Sequence, residues 1–163
     1  MRVISMLDLA TLLSALGCGL VAGTFFAFST FVMKALGNLP PPQGIAAMQS
    51  INVVVINRWF MTVFLGTAAA CLVVMIASLL RWHDPGTPYL LAASVLYLVG
   101  TFLVTMLFNV PRNNALAAVA PSSSEAATLW ASYLSGWTAW NHVRTIAALA
   151  ASALFIIAFR FRA

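Results

Sequence analysis

The stretch RWFMTVFLGTAAACLVVMIASLLR, residues 58–81, decides the fold class, because 22 residues without a charge lie between its terminal arginines. An α-helix needs about 20 apolar residues to cross the roughly 30 Å hydrocarbon core of a bilayer. This stretch therefore predicts a membrane-spanning helix over about residues 59–80.

Three further stretches are long and apolar. The first charge-free run holds 25 residues between Asp8 and Lys34, and the last holds only 15 residues between Arg144 and Arg160. No alternating pattern indicates the strands of a closed barrel, which is the other structure that can span a membrane. The predicted spans are therefore residues 9–33, 59–80, 88–110 and 138–160, each to within a few residues.

The composition supports an integral membrane protein. Of the 163 residues, 63% are hydrophobic and 7% are charged, whereas soluble domains carry about 25% charged residues. The net charge of +5 comes from cations that stand singly beside apolar runs, without the basic stripe of a nucleic-acid-binding protein. We expect the lipid bilayer as the main partner, no nucleic acid, and a homo-oligomer as an open possibility.

The order of the spans predicts a single domain over residues 1–163, an all-α antiparallel four-helix transmembrane bundle. Both longer loops, 35–57 and 111–139, then lie on one membrane face, where function is expected. Small residues at helical spacing predict close helix packing; they are Gly19 and Gly23, Gly66 and Ala70, and Ala147 and Ala151.

The orientation of the protein in the membrane is predicted from the Lys and Arg residues on each membrane face. Each membrane face holds four of the eight Lys and Arg residues. The cations on the face of the two longer loops are expected to belong to a site. The four cations on the opposite face, which carries the termini, then place both termini in the cytoplasm under the positive-inside rule. The expected location is a bacterial inner membrane.

Arg144 is the residue most affected by the short fourth span. Fifteen residues make only about 22 Å of helix, so the span must recruit residues from Trp137 onward. Arg144 then lies below the interface, where an arginine usually faces the bundle interior. Trp137, Asn141 and Arg144 share one helix face by their spacing. Outward snorkelling of Arg144 is the alternative.

The segment FNVPRNN, residues 108–114, ends the third span on the same face. Asn109 and Asn113 are four residues apart, and Pro111 between them is expected to bend or end the helix. The side-chain amides of these residues are candidates for the wall of a pocket. A structural role is given equal weight: the amides would hydrogen-bond the backbone groups that Pro111 leaves unpaired. The aromatic residues from Trp130 to Trp140 fit either an interfacial belt or a pocket roof.

The chemistry predicted for this face is acid–base chemistry and anion stabilisation. A metal site needs three or more grouped His, Cys or carboxylate ligands, and the three acids are scattered along the chain, so no metal and no cofactor are expected. His142 can accept a proton near neutral pH, and Arg144 with nearby amides can stabilise an oxyanion. This set suits proton removal from an acidic C–H or phenol and reaction of the resulting enolate. A purely interfacial role is the alternative for His142.

Four segments carry a resemblance to a known family: FFAFSTFVMKAL, MQSINVVVINRWFM, FNVPRNNALAAV and WTAWNHVRT. Over about Leu9 to Phe159, the chain resembles the anthrone oxygenase-like family of small four-helix membrane proteins. Members with an assigned role are similar to enzymes that oxidise anthrones to anthraquinones with O2 and without a known cofactor. Many bacterial members have no assigned activity. Lys34 and Arg112 stand where the resemblance leads us to expect neutral residues.

The family resemblance and the spacing of polar and aromatic residues together predict the candidate site. The predicted catalytic residues are His142, Arg144, Asn141 and Asn109. The predicted substrate-binding residues are Trp137, Trp140, Asn113, Asn114 and Arg58. The leading hypothesis is a cofactor-independent oxygenase acting with O2 on a lipophilic phenolic or anthrone-like polycycle that enters from the bilayer. His142 would accept a proton, and Arg144 would stabilise the enolate and superoxide.

Two other functions remain open from the sequence. One is a non-enzymatic membrane subunit or a binding module for a quinone-like small molecule. The other is a structural protein whose polar residues only cap and anchor helices.

Overall fold

The computed structural model describes residues 5–162, which form five helices. They are α1 (Met6–Gly37), α2 (Pro41–Val54), α3 (Arg58–Leu80), α4 (Thr87–Ala117) and α5 (Ser124–Arg162). All except α2 are long and apolar enough to cross a membrane. The chain is thus an integral membrane protein, and the predicted all-α four-helix fold class is confirmed.

The helix starts have local causes in the sequence. Ser5 and Asp8 form a capping box at α1, in which each side chain bonds the backbone N–H of the other. Asn57 caps α3 by accepting hydrogen bonds from the backbone N–H groups of residues 59 and 60. Gly86 precedes α4 with a φ of 84°, a left-handed conformation that glycine adopts without a steric penalty.

The four spanning helices are arranged in a ring. Helix α1 packs against α3 and α5, and α4 packs against the same two helices. The axis of the bundle is apolar, and its fully buried residues include Cys18, Cys71, Leu90, Tyr97 and Phe155. Leucines on the outer face of α1, at positions 12, 16 and 20, are exposed, as expected for a lipid-facing surface.

The closest helix approaches differ from the prediction. A Cβ atom added at Gly23 or Gly66 would meet nothing within 4 Å. A Cβ added at Gly17 would collide with the Thr67 side chain, and one at Gly100 would lie 2.6 Å from the Cβ of Ala147. The prediction of close packing is therefore wrong for Gly23 and Gly66, whereas Gly19, where an added Cβ would lie 3.4 Å from Ser152 Oγ, and Ala147 do meet a neighbouring helix. Spacing alone does not say which residue of a pair faces a neighbour.

The two long connections are mostly helical. Helix α2 is separate from α3, and its Gln49 Nε2 donates to the carbonyls of Leu116 at 2.8 Å and Val119 at 3.0 Å. The loop predicted at residues 111–139 covers only residues 118–123, because α4 ends at Ala117 and α5 begins at Ser124. Pro111 does not end the helix, so that part of the expectation is wrong. The helix continues to Ala117, and a π-helical segment, Thr105–Asn109, lies just before the proline.

Candidate functional site

A cavity of about 290 Å³ lies at the end of the bundle that α2 covers. All five helices contribute to its wall, which is mainly aromatic and aliphatic and includes Phe25, Phe28, Phe60, Phe64 and Trp137. Small-molecule sites are usually apolar clefts of about 300–1,000 Å³ with a few placed polar groups. The volume of this cavity is just below that range, and its wall has such groups.

Arg144 is the only charged residue among those that line the cavity, within the part of the chain that the structure describes. Its side chain is 3% exposed. Nη1 donates to Thr105 Oγ1 at 3.2 Å, and Nη2 donates to Asn141 Oδ1 at 2.6 Å. Nε is buried without a hydrogen-bond partner in residues 5–162. The prediction that Arg144 faces the bundle interior is confirmed.

Among residues 5–162, no carboxylate hydrogen-bonds to Arg144 or lines the cavity beside it. The hydrogen bonds of its guanidinium go to neutral oxygens, and its Cζ lies 4.0 Å and 5.0 Å from the ring centroids of Phe25 and Trp137. Asp84 and Glu125 are exposed in segments away from the cavity. Since a buried charge is costly unless it is paired, this cavity favours an anionic ligand.

Asn141 holds Arg144 in place. Its side chain is 0% exposed, and Nδ2 donates to the Phe25 carbonyl and to Ser29 Oγ, each at 2.7 Å. Thr145 Oγ1 donates to the Asn141 carbonyl at 2.8 Å and lies 3.1 Å from Ser29 Oγ. The side-chain amide is thus occupied by protein groups, so Asn141 orients the guanidinium and leaves ligand contact to Arg144.

Ser29 belongs to a second π-helical segment, Phe28–Val32 in α1. Such segments often occur at functional sites, where they change the direction of a side chain. Here the segment provides the hydroxyl that Asn141 bonds. Thr105, which bonds Arg144, lies in the π-helical part of α4.

Asn109 and Asn113 have different roles. Asn109 is buried outside the cavity, and its Nδ2 donates to the Trp137 carbonyl at 3.2 Å, joining α4 to α5. Asn113 lines the cavity, and its Oδ1 accepts from Tyr133 Oη and Trp137 Nε1, each at 2.8 Å. The structure therefore places Asn113 and Trp137 at the cavity and assigns Asn109 to helix packing.

His142 does not lie in this cavity. It is exposed and lines a separate depression between α1 and α5, together with Lys34 and Ser29. Residues two apart on an α-helix point about 200° away from each other, so His142 and Arg144 face different sides of α5. The expectation that both point into one site is wrong.

Three other predicted residues also lie apart from the cavity. Arg58 is exposed, with its guanidinium 4.8 Å above the ring of neighbouring Trp59. Trp140 stacks on Phe108 of α4, with ring centroids 3.7 Å apart. Asn114 is exposed near the end of α4. These placements remove all three from direct contact with a ligand in the cavity.

Asn52 and Thr105 line the cavity but escaped the sequence-based prediction. Asn52 lay in a segment treated as a connection, although Ile45, Met48 and Asn52 recur at helical spacing and form the inner face of α2. That periodicity could have located Asn52. Thr105 had no comparable signal, because the π-helical turn changes the face on which each residue of α4 lies.

The chemistry of the cavity rests on Arg, Asn and Thr side chains. Between residues 5 and 162, no three His, Cys, Asp or Glu side chains are grouped as metal ligands would be. An arginine and hydroxyl or amide donors in an apolar site can stabilise an oxyanion strongly, because water does not screen the charge.

Comparison with known proteins identifies the family. No curated protein and no solved structure matches the chain. The family profile described as anthrone oxygenase matches residues 58–154, which is more than half of the chain and includes Arg144 and all of α4. The chain therefore belongs to the anthrone oxygenase family.

Proposed function

We propose that this protein is a membrane-embedded oxygenase that acts with O2 on a lipophilic phenolic or anthrone-like polycycle. The observation that carries the proposal is the buried Arg144 guanidinium, which faces an aromatic cavity and has no carboxylate partner in the described part of the chain. Membership of the anthrone oxygenase family supports the same reaction class.

The cavity suits a flat aromatic ligand with one ionised oxygen. Phe25 and Trp137 contact the guanidinium and also line the cavity, so an aromatic ring placed there has its oxygen near Arg144. In an apolar site, the attraction between an arginine and an oxyanion is much stronger than in water. Arg144 would therefore favour the enolate or phenolate form of the substrate.

Charge stabilisation by Arg144 replaces the general base that we expected at His142. Among the described residues that line the cavity, there is no His, Asp or Glu. We propose that Arg144 increases the acidity of the bound substrate, whose proton leaves to water at the cavity mouth. The ionised ring is electron-rich enough to react with O2.

The reaction balances with one molecule of O2. The substrate carbanion transfers an electron to O2, and the resulting radical and superoxide combine to form a C–O bond. The peroxide takes up the proton that was lost, and the hydroperoxide then loses water to leave a carbonyl. Anthrone and O2 thus give anthraquinone and water, and Arg144 stabilises the negative charge on the enolate and on superoxide.

The substrate would enter from the bilayer. Ile56, just before α3, and Met106, in α4, both line the cavity. Both side chains are also exposed on the outer surface. We propose that the substrate passes between these two exposed residues from the lipid, where polycyclic substrates partition.

The experiment uses purified full-length protein in lipid nanodiscs, supplied with anthrone under O2. Anthraquinone absorbance and O2 uptake are measured for the parent, Arg144→Met and the matched control Arg112→Met. Arg112 bonds the Phe108 carbonyl of its own helix and lies outside the cavity. We expect turnover in the parent and control and a loss of about 100-fold or more in Arg144→Met, the range found on removing an oxyanion donor.

Two results would change the proposal. Equal rates in Arg144→Met and Arg112→Met would contradict it. Binding of the polycycle that depends on Arg144, without turnover above empty nanodiscs, would instead favour a membrane binding module for a quinone-like molecule.

A further inference from the structure

We propose that the depression between α1 and α5, which Lys34 and His142 line, binds the headgroup of an anionic phospholipid. This headgroup groove is separate from the cavity that contains Arg144, so the proposal goes beyond the oxygenase reaction and does not depend on it. It assigns a role to Lys34 and His142, neither of which lines the cavity.

The polar side chains of the headgroup groove come from two facing helices. Thr30 and Lys34 are four residues apart on α1, and Thr138 and His142 are four residues apart on α5, so each pair shares one helix face. All four residues line the groove, which has a volume of about 620 Å³. Lys34 and His142 are exposed, so their side chains are accessible to a ligand from outside the bundle.

The charge of the groove is positive. Among the residues that the structure describes, no Asp or Glu lines it, and Lys34 is its one permanent cation. A lysine ammonium group is a common partner of phosphate, and the His142 imidazole adds a ring N–H donor. The Asn38 amide and the Thr138 hydroxyl, also at the groove, can donate to the remaining phosphate oxygens. The groove therefore suits a phosphate group.

His142 lies at the depth where the hydrocarbon core of a bilayer ends. Because a helix rises about 1.5 Å per residue, His142 is about 27 Å along α5 from Arg160, the exposed cation near the other end of that helix. The hydrocarbon core is about 30 Å thick, and an arginine near a helix end reaches the interface. With Arg160 at one interface, His142 is at the other.

Lys34 lies further from the bilayer centre than His142. It comes three residues before Gly37, where an added Cβ would lie 3.3 Å from Leu134 Cδ1 of the antiparallel α5. Lys34 is therefore level with about residue 137 of α5, about 7 Å outward of His142. The headgroups add about 5–7 Å to each side of the hydrocarbon core, so the groove lies in the headgroup layer.

An exposed apolar surface continues from the groove toward the bilayer centre. Phe26 is four residues before Thr30 on α1, and Ile146 is four residues after His142 on α5, so each extends a helix face that lines the groove. Both side chains are exposed. A phospholipid places its phosphate in the groove and its acyl chains on this surface, whereas a free phosphate contacts the groove alone. The arrangement therefore favours a phospholipid.

The test compares two lipids with identical acyl chains, the anionic phosphatidylglycerol and the zwitterionic phosphatidylcholine. Full-length protein in detergent is mixed with both lipids at equal concentrations, and native mass spectrometry measures the amount of each that is bound. The proteins are the parent, Lys34→Gln, Lys34→Arg, His142→Leu and the matched control Arg58→Gln. Arg58 is an exposed cation at the same end of the bundle, outside the groove.

We expect the parent, Lys34→Arg and Arg58→Gln to bind more phosphatidylglycerol than phosphatidylcholine. The ratio of the two bound lipids should fall about fivefold in Lys34→Gln, the effect of one cation near an anionic lipid surface. It should fall about threefold or more in His142→Leu, which loses one hydrogen-bond donor. Because both lipids compete in one sample, the ratio does not depend on how much of a variant is folded.

An unchanged ratio in Lys34→Gln, or an equal fall in Arg58→Gln, would overturn the proposal. A second measurement separates a phospholipid from free phosphate as the ligand. The midpoint of thermal unfolding of the parent should rise by several degrees with phosphatidylglycerol and stay constant with inorganic phosphate at the same concentration. A rise with inorganic phosphate that disappears in Lys34→Gln would mean that the groove binds free phosphate and would contradict the lipid site.

Discussion

Arg144 Nη2 donates a 2.6 Å hydrogen bond to Asn141 Oδ1, three residues earlier on α5. The partner is a neutral amide at a position where a carboxylate would have cancelled the charge. Asn141 is itself fixed by the Phe25 carbonyl and Ser29, so the guanidinium is held rigidly and keeps its positive charge. This pair is the basis of the anion site.

Replacing the amide by a carboxylate should remove the anion preference. In Asn141→Asp, the new charge pairs with Arg144, so we expect the affinity for a polycyclic phenolate to fall by about tenfold or more. The affinity for the uncharged methyl ether of the same ring should change little. Titrations of both ligands into protein in nanodiscs measure the ratio, and an unchanged ratio would argue against a charge-based site.

The exposed position of His142 gives a second prediction. His142→Gln should keep at least about half of the parental turnover, with the same dependence on pH, because the imidazole lies outside the cavity and cannot reach a proton there. Initial rates between pH 5 and 8 measure this. A loss of about 100-fold, or a changed dependence of the rate on pH, would restore His142 as the base.

Packing at Gly17 gives a prediction about stability. A methyl group added in Gly17→Ala collides with Thr67, and overpacking of this kind typically costs about 1–3 kcal/mol. The matched control is Gly23→Ala on the same helix, where a Cβ meets nothing within 4 Å. The control should be neutral or slightly stabilising, because alanine favours helix more than glycine does.

The measurement for this pair is the midpoint of thermal unfolding in detergent, followed by the loss of helical circular dichroism. We expect Gly17→Ala to unfold several degrees below the parent and Gly23→Ala to match it. Equal midpoints for the two variants would mean that α1 and α3 do not meet at Gly17.

The fold was largely predictable because bilayer thickness constrains helix length directly. The charge-free run between Arg58 and Arg81 gave one span within a residue of its helix, Arg58–Leu80. The same argument placed Arg144 inside the bundle. The helix ends on the face of the two predicted loops were not predictable. The segments there are as polar as loops, and they are helical because α2 packs against α4 and α5.

The site was only partly predictable, because the sequence does not fix which way each side chain points. Arg144 and Trp137 share a face by α-helical spacing and do lie at the cavity. His142 stood in the same motif and was assigned to the site by proximity along the chain, yet it points away. The π-helical segments that place Ser29 and Thr105 near Arg144 and Asn141 leave no simple periodic pattern.

The ionisation state of a bound phenol tests the central claim most directly. A hydroxylated anthrone-type ligand absorbs at longer wavelength as the oxyanion, and attraction to Arg144 should lower the pKa of the bound hydroxyl. The spectrum of the ligand is recorded anaerobically in nanodiscs, at a pH about one unit below the pKa of the free ligand. We predict the oxyanion spectrum with the parent and Arg112→Met, and the neutral spectrum with Arg144→Met. A neutral spectrum with the parent, or an oxyanion spectrum that survives in Arg144→Met, would contradict the account.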